Sequence, residues 1–397
     1  MKNLEELLNK SVVELKPSGI RKFFDIAANM EHVISLGVGE PDFTTPWHIR
    51  EAGIASLEQG YTRYTSNWGM LQLREQIAAF MERKYQLTYH PEHEILVTVG
   101  GSEAIDVCMR AVLSAGDEVL VPEPSFVCYK PIASMVGGVP VVIQTKNENN
   151  FRLTPEELRA HITDKTKLLI LPYPNNPTGG VMRREHLEAI AEVLRDTDIL
   201  VLADEIYAEL TYGDCRHVSI AEIDGMKERT VVVSGFSKTY SMTGWRLGFA
   251  CGPAPILNQM TKIHQFAIMS APTTSQYAAI EALQNGDEDI ANMRAEYDLR
   301  RNYIVHAFRE MGLDCFEPEG AFYAFPCIKS TGLDSETFCE QLLLQKHVAA
   351  VPGTAFGDCG EGFIRVSYCN SLPLLKKAVD RIREFIHERK QGEQTNG

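Results

Sequence analysis

No two of the nine cysteines stand in a C-x-x-C pair; they are dispersed singly along 397 residues. An odd, scattered set reads as reduced thiols in the cytosol rather than a disulfide framework. No run of 18 apolar residues occurs, which argues against a membrane-spanning helix. The start, "MKNLEELLNK", has no apolar stretch of the kind a secretory leader needs. Positive charge is in deficit: 39 Lys and Arg stand against 53 Asp and Glu, a formal net charge of −14. That balance argues against nucleic acid or an anionic membrane surface as a partner, though local groups can still hold a small anion. No internal repeat or low-complexity segment stands out. The expectation is a soluble, cytoplasmic protein.

What is present is an average globular composition, 44% hydrophobic and 23% charged, in a chain long enough to bury a pocket. Between about residues 94 and 250, short apolar runs end in polar loops: "EILVT", "EVLVP", "PVVIQ", "KLLILP", "DILVLAD", "TVVVSG" and "LGFACG". They read as strands buried on both faces. Helical stretches such as "SEAIDVCMRAVLSAG" and "REHLEAIAEVLRD" lie between several of them. The pattern predicts an α/β fold with a mostly parallel sheet covered by helices on both faces, whose ligands gather at the carboxyl ends of strands. Toward the C-terminus, "GAFYAFPCI" and "GFIRVSYC" read as strands of a smaller sheet. "LPLLKKAVDRIREFIHERK" has helical apolar spacing, and the polar residues 391–397 are expected to fray. The expected division is an N-terminal arm and part of a small domain (1–45), a large domain (46–286) and a small C-terminal α+β domain (287–397).

Four polar clusters follow predicted strands. In "VTVGGSEAI", Gly101 and Ser102 sit where a strand gives way to a helix, and first-turn N–H groups there suit a phosphate; the plain alternative is a βα turn with a serine cap. "YPNNPTGG" is a turn by its Asn-Pro and Thr-Gly pairs, and Asn176 offers an amide. Asp204 ends the apolar strand "DILVLAD", where a carboxylate needs a partner; it is a helix cap or holds a proton on a cationic ligand nitrogen, with Tyr207 one turn later. In "SGFSKTYSMTGWRLG", Lys238 is a surface lysine or an imine-forming amine, flanked by Ser237 and Arg246, donors suited to phosphate. Jointly these are the parts that hold pyridoxal phosphate.

The sequence resembles fold-type I pyridoxal-phosphate enzymes of the class I/II aminotransferase group over nearly its whole length. "SKTYSMTGWRLG", "SLGVGEPDFTTP", "YPNNPTG" and "GFIRVSY" carry the resemblance. It implies that Lys238 forms the imine with pyridoxal 5′-phosphate and shuttles the proton. Asp204 would pair with the ring nitrogen, and Tyr207 and Asn176 with its phenolic oxygen, while Phe126 stacks on the ring. Gly101, Ser102, Ser237 and Arg246 would hold the phosphate. Arg365 would clamp the substrate carboxylate with help from Gly39. Tyr64 would reach the phosphate of a neighbouring subunit, making the active unit a homodimer.

The expected reaction is transamination between an L-amino acid and a 2-oxo acid, 2-oxoglutarate by family habit, with ping-pong kinetics. The same core also runs β-elimination of sulfur-linked amino acids. A cofactor-sensing regulator is the non-enzyme alternative, for which the N-terminus is too short and the charge too acidic. "KPSGIRKFF" resembles aspartate, aromatic and N-acetyl-diaminopimelate aminotransferases and leaves the donor open; Ile20, Phe126, Trp68 and Tyr323 are candidates for an apolar side-chain site. No metal site is expected: His90 and His93 flank a turn-forming Pro91 with no third ligand beside them.

Overall fold

The computed structural model describes residues 4–15 and 30–395. Ile20 and the rest of "KPSGIRKFF" lie outside the described residues. After a two-residue strand, β1 (Ile34–Ser35), the seven apolar runs all form strands: β2 (Ile95–Thr98), β3 (Glu118–Glu123), β4 (Val139–Gln144), β5 (Thr166–Leu171), β6 (Leu200–Asp204), β7 (Thr230–Gly235) and β8 (Gly248–Cys251). They make one sheet in the order β2-β8-β7-β6-β5-β3-β4. Only β8 runs against its neighbours; the other pairings are parallel. Alternation along the strands buries both faces. Leu96, Leu168, Ile170, Leu202 and Val233 pack on one side with the helix Gly101–Val112. Val97 and Val232 face the helix Leu71–Tyr85 on the other, as Leu169, Val201 and Ala203 face Arg184–Leu194. Each such valine, leucine or isoleucine contributes about 1.5–3 kcal/mol on burial. β4 departs from the expectation. It lies at one edge of the sheet with Val139 and Gln144 exposed, whereas β2, at the other edge, is buried throughout.

The remaining strands are short: β9 (Tyr323–Ala324), β10 (Val348–Ala349), β11 (Val351–Pro352) and β12 (Ile364–Ser367). β11-β12-β9 form an antiparallel sheet, while β10 takes β1 in parallel. "GAFYAFPCI" yields only the two residues of β9, extended by single bridges at Gly320 and Cys327. The helices Asp287–Glu310, Ser335–Lys346 and Leu372–Thr395 close over this sheet. Tyr297, Phe308, Phe338, Leu342, Ile382 and Phe385 form their common core, and Leu36 enters it just after β1. The last helix runs on to Thr395, past the point where polar composition suggests fraying. Once Phe385 and Ile386 are packed, each further turn adds hydrogen bonds without a new nucleation cost. No helix among the described residues is long and apolar enough to cross a membrane.

Candidate active site

The parallel strands end together, and their carboxyl-end loops meet the small sheet across a cavity of about 430 Å³. Eleven of the twelve candidate residues face it: Gly39, Gly101, Ser102, Phe126, Asn176, Asp204, Tyr207, Ser237, Lys238, Arg246 and Arg365. Tyr64 does not; it stands 83% exposed on the same chain's surface. Of the proposed side-chain site, Phe126 and Tyr323 line the cavity. Trp68 does not line it; it packs on the cluster that holds Leu96 and Val119, and its carbonyl accepts the Val97 N–H of β2 at 3.0 Å.

Asp204 ends β6 and is 7% exposed. Its Oδ2 accepts the Tyr129 hydroxyl at 2.6 Å and its Oδ1 the Ile206 N–H at 3.3 Å. Burial still raises its pKa, against the lowering by those two bonds, so the carboxylate lacks a cation. Its neighbour Glu205 is bound up elsewhere, accepting from the Ser219 hydroxyl at 2.7 Å and lying 3.0 Å from buried His217. Of the two adjacent carboxylates, only Asp204 faces the cavity.

β7 delivers Lys238 in the short helix Phe236–Thr239. The amine donates to the Gly39 carbonyl at 2.6 Å. Desolvation pulls it down to about 8, helped by Arg365 and Arg246 and opposed by Cys369 and Glu40. Glu40, which also faces the cavity, accepts from the Thr243 hydroxyl.

The helix Gly101–Val112 begins at the cavity without a side-chain cap. Gly100 precedes it at φ +78°, and a Cβ there would come 2.7 Å from the Arg246 guanidinium. Arg246 and uncapped first-turn N–H groups therefore converge on one spot, the donor set of an anion site.

In "YPNNPTGG" both readings hold, one per asparagine. Asn175 builds the turn, its Oδ1 accepting from the Thr178 N–H and hydroxyl. Asn176 faces the cavity and its Oδ1 accepts Arg365 Nη1 at 2.9 Å, which leaves its amide N–H₂ free to donate inward.

Arg365, on β12, is 3% exposed. Its guanidinium carbon lies 4.5 Å from the Tyr323 ring and 4.7 Å from the Phe356 ring. Nη2 donates to the Gly37 carbonyl, and Nε is buried without a partner. A planar cation between two rings, with a donor to spare, fits a carboxylate.

The residues fit pyridoxal phosphate on these grounds: a buried carboxylate short of a cation, a desolvated amine, an anion cradle against Gly100, and an orphan donor on Arg365. The sequence profile of the family Aminotransferase class I and II matches residues 31–382. The chain belongs to the class I and II aminotransferases. It is 46% identical to the aspartate aminotransferase of Pyrococcus abyssi, over 95% of this chain and 97% of that one. It is 42% identical to the aromatic-amino-acid aminotransferase 2 of Thermococcus litoralis, over 95% and 97%. The crystal structure of an aromatic aminotransferase from Pyrococcus horikoshii superposes with a TM-score of 0.89 at 43% identity, covering 94% of this chain and 99% of that one. The fold is fold-type I, the enzyme an aminotransferase, and its cofactor pyridoxal 5′-phosphate.

Sequence reasoning missed Tyr129 and Phe356. Tyr129 opens the helix Tyr129–Met135 three residues after Phe126, and the two rings meet edge-on with centroids 6.1 Å apart; Phe356 gives no local signal. It also found no third group beside His90 and His93. Glu92 is that group: the three exposed side chains bring ligand atoms within 4.8 Å of one another.

Proposed function

We propose that this aminotransferase moves an amino group from an L-amino acid to a 2-oxo acid, with 2-oxoglutarate as the acceptor, in a ping-pong sequence where the first acid leaves before the second enters. The observation that carries the reading is Arg365, fixed between two rings with a spare buried donor, facing the same cavity as the desolvated Lys238. Arg365 would take the α-carboxylate in a bidentate grip, helped by the backbone of Gly39, and so present Cα to the lysine. Lys238 would remove the Cα proton and hand it to the cofactor's former aldehyde carbon rather than back to Cα. Its lowered pKa supports this, since a base works best when its pKa lies near the working pH.

Bound here, pyridoxal phosphate supplies an aldehyde for the amine and an acidic ring that accepts electrons from Cα. Asp204 would keep a proton on the ring nitrogen, with Tyr129 holding the carboxylate in place. Tyr207 and the free amide of Asn176 would donate to the phenolic oxygen. Phe126 would cover the ring face. Gly101, Ser102, Ser237 and Arg246 would bind the phosphate.

Exposed apolar side chains in the segment that leads to Tyr64, namely Trp47 at 58% and Leu57 at 54% on the helix Trp47–Glu58 and Tyr61 at 44%, support a homodimer in which Tyr64 serves the neighbouring subunit's phosphate site. The division at residues 45 and 286 would let the unit carrying Arg365 move against the unit carrying Lys238. All nine cysteines are free, which supports a cytoplasmic location.

The test is a panel of aspartate, aromatic amino acids and N-acetyl-diaminopimelate, each with 2-oxoglutarate, scored by glutamate formed. Parallel double-reciprocal lines are expected for the accepted donor. Intersecting lines, or release of thiol and pyruvate from sulfur-linked amino acids without glutamate, would overturn the reading.

A further inference from the structure

We propose that Tyr323 is a positioning residue whose hydroxyl donates to Tyr207 and thereby commits the Tyr207 proton to the cofactor's phenolic oxygen. The proposal rests on the reading of Tyr207 given above.

The two phenol oxygens are 2.8 Å apart and both rings are buried. Each phenol owns one proton, so in a shared hydrogen bond one hydroxyl is donor and the other acceptor. Both stay protonated at neutral pH, because burial pushes Tyr207 well above its ordinary value and Tyr323 up to about 12. If Tyr207 spends its proton on the cofactor, the bond between the phenols must run from Tyr323 to Tyr207. Hydrogen bonds in such a chain polarise one another, strengthening the outer one. The other titratable groups acting on the pair are Arg365 and Cys369, with Tyr129 acting on Tyr207 and Lys238 beyond them; the Tyr129 proton is already given to Asp204. Burial also pushes Cys369 up to about 12, so none offers Tyr207 a competing carboxylate.

The position of Tyr323 is over-determined. β9 pairs Tyr323 with Ser367, so Tyr323 and Arg365 lie diagonally on one sheet face, and the ring stacks on the guanidinium. Its hydroxyl rests against Gly39, where a Cβ would run into it. A glycine is needed there for that approach. One side chain thus touches Arg365, Tyr207 and the backbone that receives the Lys238 amine.

The experiment uses the holoenzyme and the pH midpoint of its visible absorbance band, with Tyr207→Phe, Tyr323→Phe and the double variant. Tyr207→Phe should raise the midpoint by about one to two pH units, the worth of a hydrogen bond to a charged oxygen. Tyr323→Phe keeps the ring on Arg365, so the dissociation constant of an unreactive carboxylate, 3-phenylpropionate, should stay within about twofold. Its midpoint should still rise, by a few tenths of a unit. The double variant should match Tyr207→Phe alone, because the relay has no second route. If Tyr207→Phe moves the midpoint and Tyr323→Phe does not, or if the two shifts add, the Tyr323 proposal falls and the Tyr207 reading stands. If Tyr207→Phe leaves the midpoint in place, both fall.

Discussion

Two cations face the cavity from opposite sheets, Lys238 half-buried and Arg365 buried, and they are treated differently. Lys238 leaves the large sheet at the end of β7 with one hydrogen bond, to Gly39, and burial lowers it to about 8. Arg365 sits mid-strand in the small sheet, bonded to Asn176 and Gly37 and held between Tyr323 and Phe356. Burial acts on both, but only an ammonium can lose its proton in the physiological range; a guanidinium keeps its charge. Desolvation therefore makes the lysine a base and the arginine a fixed anchor. One side of the cavity is built for proton transfer and the other for recognition.

The sharpest way to break this contrast is to remove each cation. Lys238→Ala should lower kcat by about 10⁴-fold, the upper range for a positioned acid–base group, with the carboxylate dissociation constant little changed. Arg365→Lys should do the reverse. A point charge replaces a planar fork, so KM for both acids should rise by about 10- to 100-fold, the worth of a charged hydrogen bond, with a smaller loss in kcat. Steady-state kinetics of the two variants side by side decides it. If Arg365→Lys lost mainly kcat, or Lys238→Ala mainly raised KM, the division of labour would be wrong.

The same contrast governs what could be read in advance. Asp204, Lys238 and Gly101 were legible because their signal is local: an apolar run ends and a polar turn begins within a few residues. The sheet followed for the same reason, as seven runs of four to six strand residues each carry their own pattern. Arg365 was found through resemblance to a family motif, whereas its setting was not readable. Phe356 stacks on it from a separate loop, and Tyr323 meets Tyr207 across 116 residues of sequence. Glu205 and His217 pair inside the protein for reasons no window around "ADEIY" displays. Strand β9 is only two residues long, and the Phe322 and Tyr323 rings pack at 4.9 Å beside it. Contacts between distant segments depend on the fold as a whole, and they supply most of the small-sheet wall.

The smallest expected effect is the pH dependence of Lys238 itself. An ordinary lysine titrates near 10.5, and this one is lowered to about 8. At pH 7 about one amine in ten is then neutral, against about three in ten thousand for a free lysine. The sign for stability follows from proton counting. Between about pH 8 and 10.5 the unfolded chain binds the proton and the native apo-chain does not, so this group makes the apo-chain more stable as pH rises through that window. Below about 8 both states are protonated and the full cost of burying the charge is present. Capture of pyridoxal phosphate by the apo-chain, followed by stopped-flow absorbance and divided by the rate for a small free amine in the same buffers, cancels the titration of the aldehyde. That ratio should be large below pH 8 and fall once the lysine is fully neutral and only the free amine continues to gain. A ratio that stays flat from pH 6 to 10 would mean that the amine is solvated like any surface lysine, and the contrast with Arg365 would reduce to geometry alone.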